Sequence, residues 1–88
     1  MAWGQGARVK VSTDYHWARG AAATIAEPPE PVRALSGPWE GTHRTVATTA
    51  GPVEYYWVQF DEAQTDADGD GPYHEAEIPE THLETLAG

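Results

Sequence analysis

THRTVATTAGPVEYYWVQFDE, Thr42 to Glu62, decides how the rest of the chain is read. Two arms, HRTVATT and EYYWVQF, are rich in β-branched and aromatic residues, and AGPV lies between them. Such runs, broken by a Gly-Pro pair, predict a β-hairpin with AGPV at its tip. Side chains alternate between the two faces of a strand. In the second arm Tyr56, Val58 and Phe60 therefore share one face, and Tyr55, Trp57 and Gln59 share the other. The first set is the expected core face, because the second ends in a polar residue.

The same alternation lies upstream. In GARVKVST, Gly6 to Thr13, Ala7, Val9 and Val11 interleave with Arg8 and Lys10, the period of a half-buried strand. DYHWARG, Asp14 to Gly20, reads as an aromatic loop, and AAATIAE, Ala21 to Glu27, as a second strand stopped by Pro28, Pro29 and Pro31. Residues 28–41, PPEPVRALSGPWEG, form a long Pro- and Gly-rich loop without periodicity, in which Trp39 is expected to fold back onto the core. An acidic loop occupies residues 61–77. Downstream, HEAEI, His74 to Ile78, suits a short strand, and PETHLETL, Pro79 to Leu86, a helical turn and a last strand.

These elements predict one all-β domain over residues 1–88: a small, partly open barrel of five to six short strands. It has a long loop after the second strand and a short helical turn before the last. GARVKVSTDYHWARGAAATIAE and YYWVQFDEAQTDADGDGPYHEAEIPETHLETL resemble the opening and closing patterns of SH3-like barrels. The order is similar to that of the photosystem I ferredoxin-docking subunit, of the ferredoxin-thioredoxin reductase barrel, and of the barrel domain of the nitrile hydratase beta chain. The resemblance implies an SH3-like fold and an accessory role beside a larger protein, a nitrile-hydratase-like accessory subunit among the alternatives.

Charge narrows the partners. Fourteen acidic residues against five Lys and Arg give a net charge of -9. Nucleic-acid binding draws its non-specific affinity from basic groups that displace counterions, and anionic membranes attract basic surfaces too. Neither partner fits an acidic chain, whereas a basic protein or a cation does. No cysteine is present, which excludes disulfides, thiolate zinc sites and thiol nucleophiles. No run approaches the ~18 apolar residues of a membrane span. The opening MAWGQGARVKV lacks the apolar stretch of a signal peptide, so the expected location is cytoplasmic. The sequence also lacks a G-x-S-x-G elbow, a phosphate-binding glycine loop and an H-E-x-x-H pair. No catalytic residue is assigned, and the chain is expected not to be an enzyme.

Two candidate sites remain. Tyr15, Trp17, Tyr55 and Trp57 are the expected protein-binding residues, a patch able to receive a peptide or a cation over its rings. The alternative occupation for these rings is packing under the 28–41 loop. DADGDGPYHEAE, Asp66 to Glu77, has the spacing of a calcium loop. Asp66, Asp68 and Asp70 fall at its first, third and fifth positions, Gly71 at its bend and Glu77 at its last position, with Pro72 able to offer a carbonyl. Tyr73 departs from the β-branched residue usual at the eighth position, and a strand precedes the loop instead of a helix. An Asp/Gly turn without metal fits the same residues, since both types favour tight turns. His74, which could join Glu75 or Glu77, is a weaker candidate for a transition metal. No cofactor is expected, with calcium as the alternative.

Overall fold

The computed structural model describes residues 3–86. Six strands form: β1 (Arg8–Val11), β2 (Ala22–Ile25), β3 (His43–Thr48), β4 (Gly51–Gln64), β5 (Tyr73–Pro79) and β6 (Leu83–Thr85). A helix, α1 (Glu30–Ser36), follows β2, and a 3-10 turn, Glu80–His82, precedes β6. The strands make one curled antiparallel sheet, a half-barrel ordered β3-β4-β2-β1-β6, with β5 on the other side of β4. That architecture is compatible with an SH3-like barrel. Among the described residues no helix is long and apolar enough to cross a membrane.

β4 organises the sheet. Its first part pairs with β3 from Gly51 to Tyr56, and Val58 to Phe60 pair with β2. Its other edge pairs with β5 from Tyr55 to Gln59, and again at Gln64↔Tyr73 beyond an irregularity. Fourteen residues of straight strand would span about 45 Å. The longest extent of the molecule is 29 Å, so β4 has to bend. The slip in register between Gln59 and Gln64 interrupts the ladder of β4 with β5.

The core follows from the alternation. Val9 pairs with Ala23, Ala23 with Phe60, Ile25 with Val58, Tyr56 with Ile78, and Val11 with Leu83. Every member of these pairs is buried. Directly opposed residues point to the same face, so one face of the sheet collects the apolar side chains of five strands. Ala23 sits between Val9 and Phe60, where a small side chain leaves room for the phenyl ring. On the hairpin, Glu54 accepts hydrogen bonds from the Thr45 hydroxyl and the His43 ring, which hold its carboxyl below the usual range against the opposing effect of burial.

Three expectations change. The hairpin tip is Thr49-Ala50 and not AGPV, because Thr48 pairs with Gly51, Ala47 with Pro52 and Val46 with Val53. The acidic loop is shorter than 61–77: β4 runs to Gln64 and β5 starts at Tyr73. The 28–41 connection is not wholly loop, because α1 occupies seven residues of it. Pro31 lies in the first turn of α1, where its missing N–H has no intrahelical partner to lose.

Beyond α1 the chain returns to the sheet, as expected for Trp39. The Trp39 indole N–H donates to the Ser36 hydroxyl at 2.9 Å, and that hydroxyl donates to the Val32 carbonyl at 2.6 Å. The Trp39 ring stands edge-on to Trp57, with centroids 6.0 Å apart and planes at 90°. Arg44 of β3 pins this strap. Its Nη1 donates to the Ser36 carbonyl at 2.7 Å, and its guanidinium carbon lies 5.5 Å from the centre of the Trp39 ring. Its Nε and Nη2 fork onto the two oxygens of Glu77 on β5, both at 2.9 Å.

Candidate functional site

A cavity of about 440 Å³ opens where the β1–β2 loop, β4, β5 and the acidic loop meet. Its aromatic walls are Trp17, Trp57 and Tyr73. Trp17 comes from the aromatic loop after β1 and is held edge-on against core residue Phe60, with centroids 5.7 Å apart. It also meets Tyr73 edge-on at 5.6 Å and 72°, so two walls stand nearly at right angles. Trp57, from the middle of β4, is 7% exposed, whereas Tyr73, at the start of β5, is 39% exposed. Ala76 and the exposed His16 complete the lining beside two carboxylates, Asp66 and Glu75.

Each carboxylate has one oxygen fixed by the protein. Glu75 Oε1 accepts the Trp57 indole N–H at 2.6 Å. Asp66 Oδ1 accepts the backbone N–H groups of Asp68 and Asp70, both at 2.9 Å. Among the described residues the second oxygen of each has no hydrogen-bond partner. No Lys or Arg lines the cavity. Arg8, Arg33 and Arg44 are paired with Asp61, Glu27 and Glu77, and the Arg19 Nε donates to the Tyr15 carbonyl at 2.8 Å.

The four residues expected to bind protein are therefore divided. Trp17 and Trp57 line one cavity, and Trp57 is also covered on one side by Trp39, so both expected occupations of that face occur together. Tyr15 does not line it; its ring packs against His16 at 4.4 Å and His82 at 4.7 Å. Burial pushes the Tyr15 phenol up, with further help from nearby Tyr55 and Glu77, while a hydrogen bond from Trp17 opposes the shift. Tyr55 is half-buried between Arg44 and Pro79 in the sheet and stays outside the cavity. Tyr73 and His16 were not anticipated, and Glu75 only as a carboxylate that could join His74 on a metal. Tyr73 stood out in the sequence only as the wrong residue for a calcium loop.

The calcium pattern is also divided. Carboxylate oxygens of Asp66, Asp68 and Asp70 lie within 4.8 Å of one another. Glu77 does not join them, because it sits in β5 with both oxygens on Arg44. Residues 66–70 close into a tight turn in which the Asp66 N–H donates to the Asp70 carbonyl at 3.0 Å, and the Gly69 N–H donates to the Asp66 carbonyl at 3.1 Å. Gly69 and Gly71 adopt φ of +83° and +126°, conformations that favour glycine. His74 is exposed and belongs to no cluster of metal-binding side chains among the described residues.

Comparison of the chain with protein-family models, with curated proteins and with solved structures yields no match.

Proposed function

We propose that the chain is a non-catalytic protein-binding module, an accessory barrel that docks on a larger protein around the Trp17–Trp57–Tyr73 cavity. One observation carries this reading: three rings from three separate segments wall a cavity whose carboxylates keep an oxygen open. Aromatic residues held rigid by a scaffold give large contact area at low entropic cost, which is why they dominate binding hot spots. The SH3-like strand pattern, similar to that of barrels that accompany larger proteins, supports the accessory role. A tagged wild-type chain and its Tyr73→Ala variant, both checked for an unchanged melting temperature, test it. Tyr73 is exposed enough for its truncation to spare the fold. Wild type should retain a stoichiometric partner that the variant loses. Equal recovery by both, or recovery of no partner, would count against the proposal.

A second reading, calcium binding, is favoured by the convergence of Asp66, Asp68 and Asp70. Calcium takes oxygen ligands, six to eight of them, so water would have to complete the shell around these three side chains. The expected sign is a melting temperature that rises with calcium after chelation and stops responding in Asp68→Ala. A melting curve unchanged by millimolar calcium would exclude this reading and leave the loop as a turn that brings Asp66 to the cavity.

A further inference from the structure

We infer that the cavity receives a cationic side chain, lysine or arginine, from a basic segment of the partner protein. This rests on the protein-binding reading and specifies what the site recognises. Trp17, Trp57 and Tyr73 bring three rings to the cavity wall, and the face of an aromatic ring carries the negative end of its quadrupole, which attracts a cation. Asp66 and Glu75 add full negative charge at the same place. Each is anchored through one oxygen by an N–H of the protein, so little side-chain freedom is left to lose when the other oxygen takes a ligand.

The alternatives fit less well. A neutral apolar group would strip water from two carboxylate oxygens and return no hydrogen bond, a costly exchange. An anion would meet two carboxylates on a chain of net charge -9. An ammonium or guanidinium can donate to an open oxygen and offer its remaining surface to the rings. Among the described residues no Lys or Arg lines the cavity, and Arg8, Arg33 and Arg44 are committed to carboxylates elsewhere. At about 440 Å³ the cavity is within the range of small-ligand sites. The acidic surface around it would speed encounter with a basic segment.

The test is an NMR titration of the isotope-labelled full chain with short capped glycine–serine peptides. One pair carries a central arginine or its uncharged isostere citrulline; the other carries lysine or acetyl-lysine. At least one charged peptide should give saturable shifts at the Trp17 and Trp57 indole N–H groups and at Tyr73. Its uncharged counterpart should bind at least about tenfold more weakly. The D66N/E75Q double variant removes both charges, yet keeps an oxygen for the Asp68 and Asp70 amides and for the Trp57 indole. It should fold normally and lose the response.

Equal binding of the charged and neutral peptides would overturn the inference while leaving the protein-binding reading intact. So would shifts spread over the acidic surface without saturation at the cavity. No response to either charged peptide at millimolar concentration would also overturn it, and the partner recovered through Tyr73 would then decide the broader reading by itself.

Discussion

Tyr56→Ala should remove about 3–5 kcal/mol of folding stability, the range for truncating a large buried aromatic. Domains of this kind have on the order of 5–15 kcal/mol in total, small ones toward the low end, so the variant should be partly unfolded at 37 °C. Tyr56 is 2% exposed and stands where β3, β4 and β5 meet, opposite His43 on one side and Ile78 on the other. Trp3 packs edge-on against its ring at 5.3 Å, and the His43 ring lies 5.5 Å away. Its hydroxyl accepts the Trp3 backbone N–H at 3.3 Å. Burial raises the phenol above its ordinary range.

Tyr56→Phe keeps the ring and loses the hydroxyl's polar contacts, to the Trp3 N–H and to Glu80, so it should cost about 1–3 kcal/mol. Urea denaturation of the three proteins, read at unchanged slope, separates packing from hydrogen bonding. If the alanine variant lost no more than the phenylalanine variant, the three-strand junction would not be the keystone of the sheet.

Arg44→Ala should cost about 2–3 kcal/mol and should also loosen the strap from α1 to Trp39. The stability loss arises because Glu77 would be left half-buried without its cation, and removing one member of a desolvated pair costs more than the pair contributes. The loosening follows because the same guanidinium holds the Ser36 carbonyl and covers the Trp39 ring. Chemical denaturation gives the first quantity, and the nuclear Overhauser contact between the Trp39 and Trp57 rings reports the second. Arg44→Lys should restore only a fraction of either effect, since an ammonium cannot fork across a carboxylate and reach a carbonyl while lying over an indole. Full recovery with lysine would show that charge alone holds the strap.

The sheet was legible because its signals are local. Val9 with Val11, and Tyr56 with Val58 and Phe60, alternate over short runs, and all five are buried as that alternation requires. Helix α1 left no such trace. It is seven residues long and buries no residue, so it carries no apolar stripe, and its Pro31 reads as a breaker unless it is known to sit in the first turn. Trp39 could be expected to fold back, but its landing place on Trp57 depends on Arg44, eight residues from the strap carbonyl that it holds.

The cavity was half legible. Trp17 and Trp57 stand out as aromatics, yet their meeting with Tyr73 depends on where β4 slips register and where the acidic turn reverses the chain. No spacing rule encodes those distances. Glu77 shows the opposite failure. Its place at the end of the calcium pattern was legible, but cross-strand geometry commits it to Arg44 instead.

Topology has a consequence for how the chain reaches this state. β1 pairs on one side with β2 and on the other with β6, with Val9 opposite Thr85 and Val11 opposite Leu83. The first of the six strands to be made therefore waits for the last of them. Until β6 is made, one edge of β1 stands open, and an open edge is a template for pairing with another molecule. Arg8 and Lys10 fall on that waiting strand, and charge there discourages such encounters. Three residues, Leu83 to Thr85, then close the edge, a late latch for an architecture whose other pairings can form before it arrives.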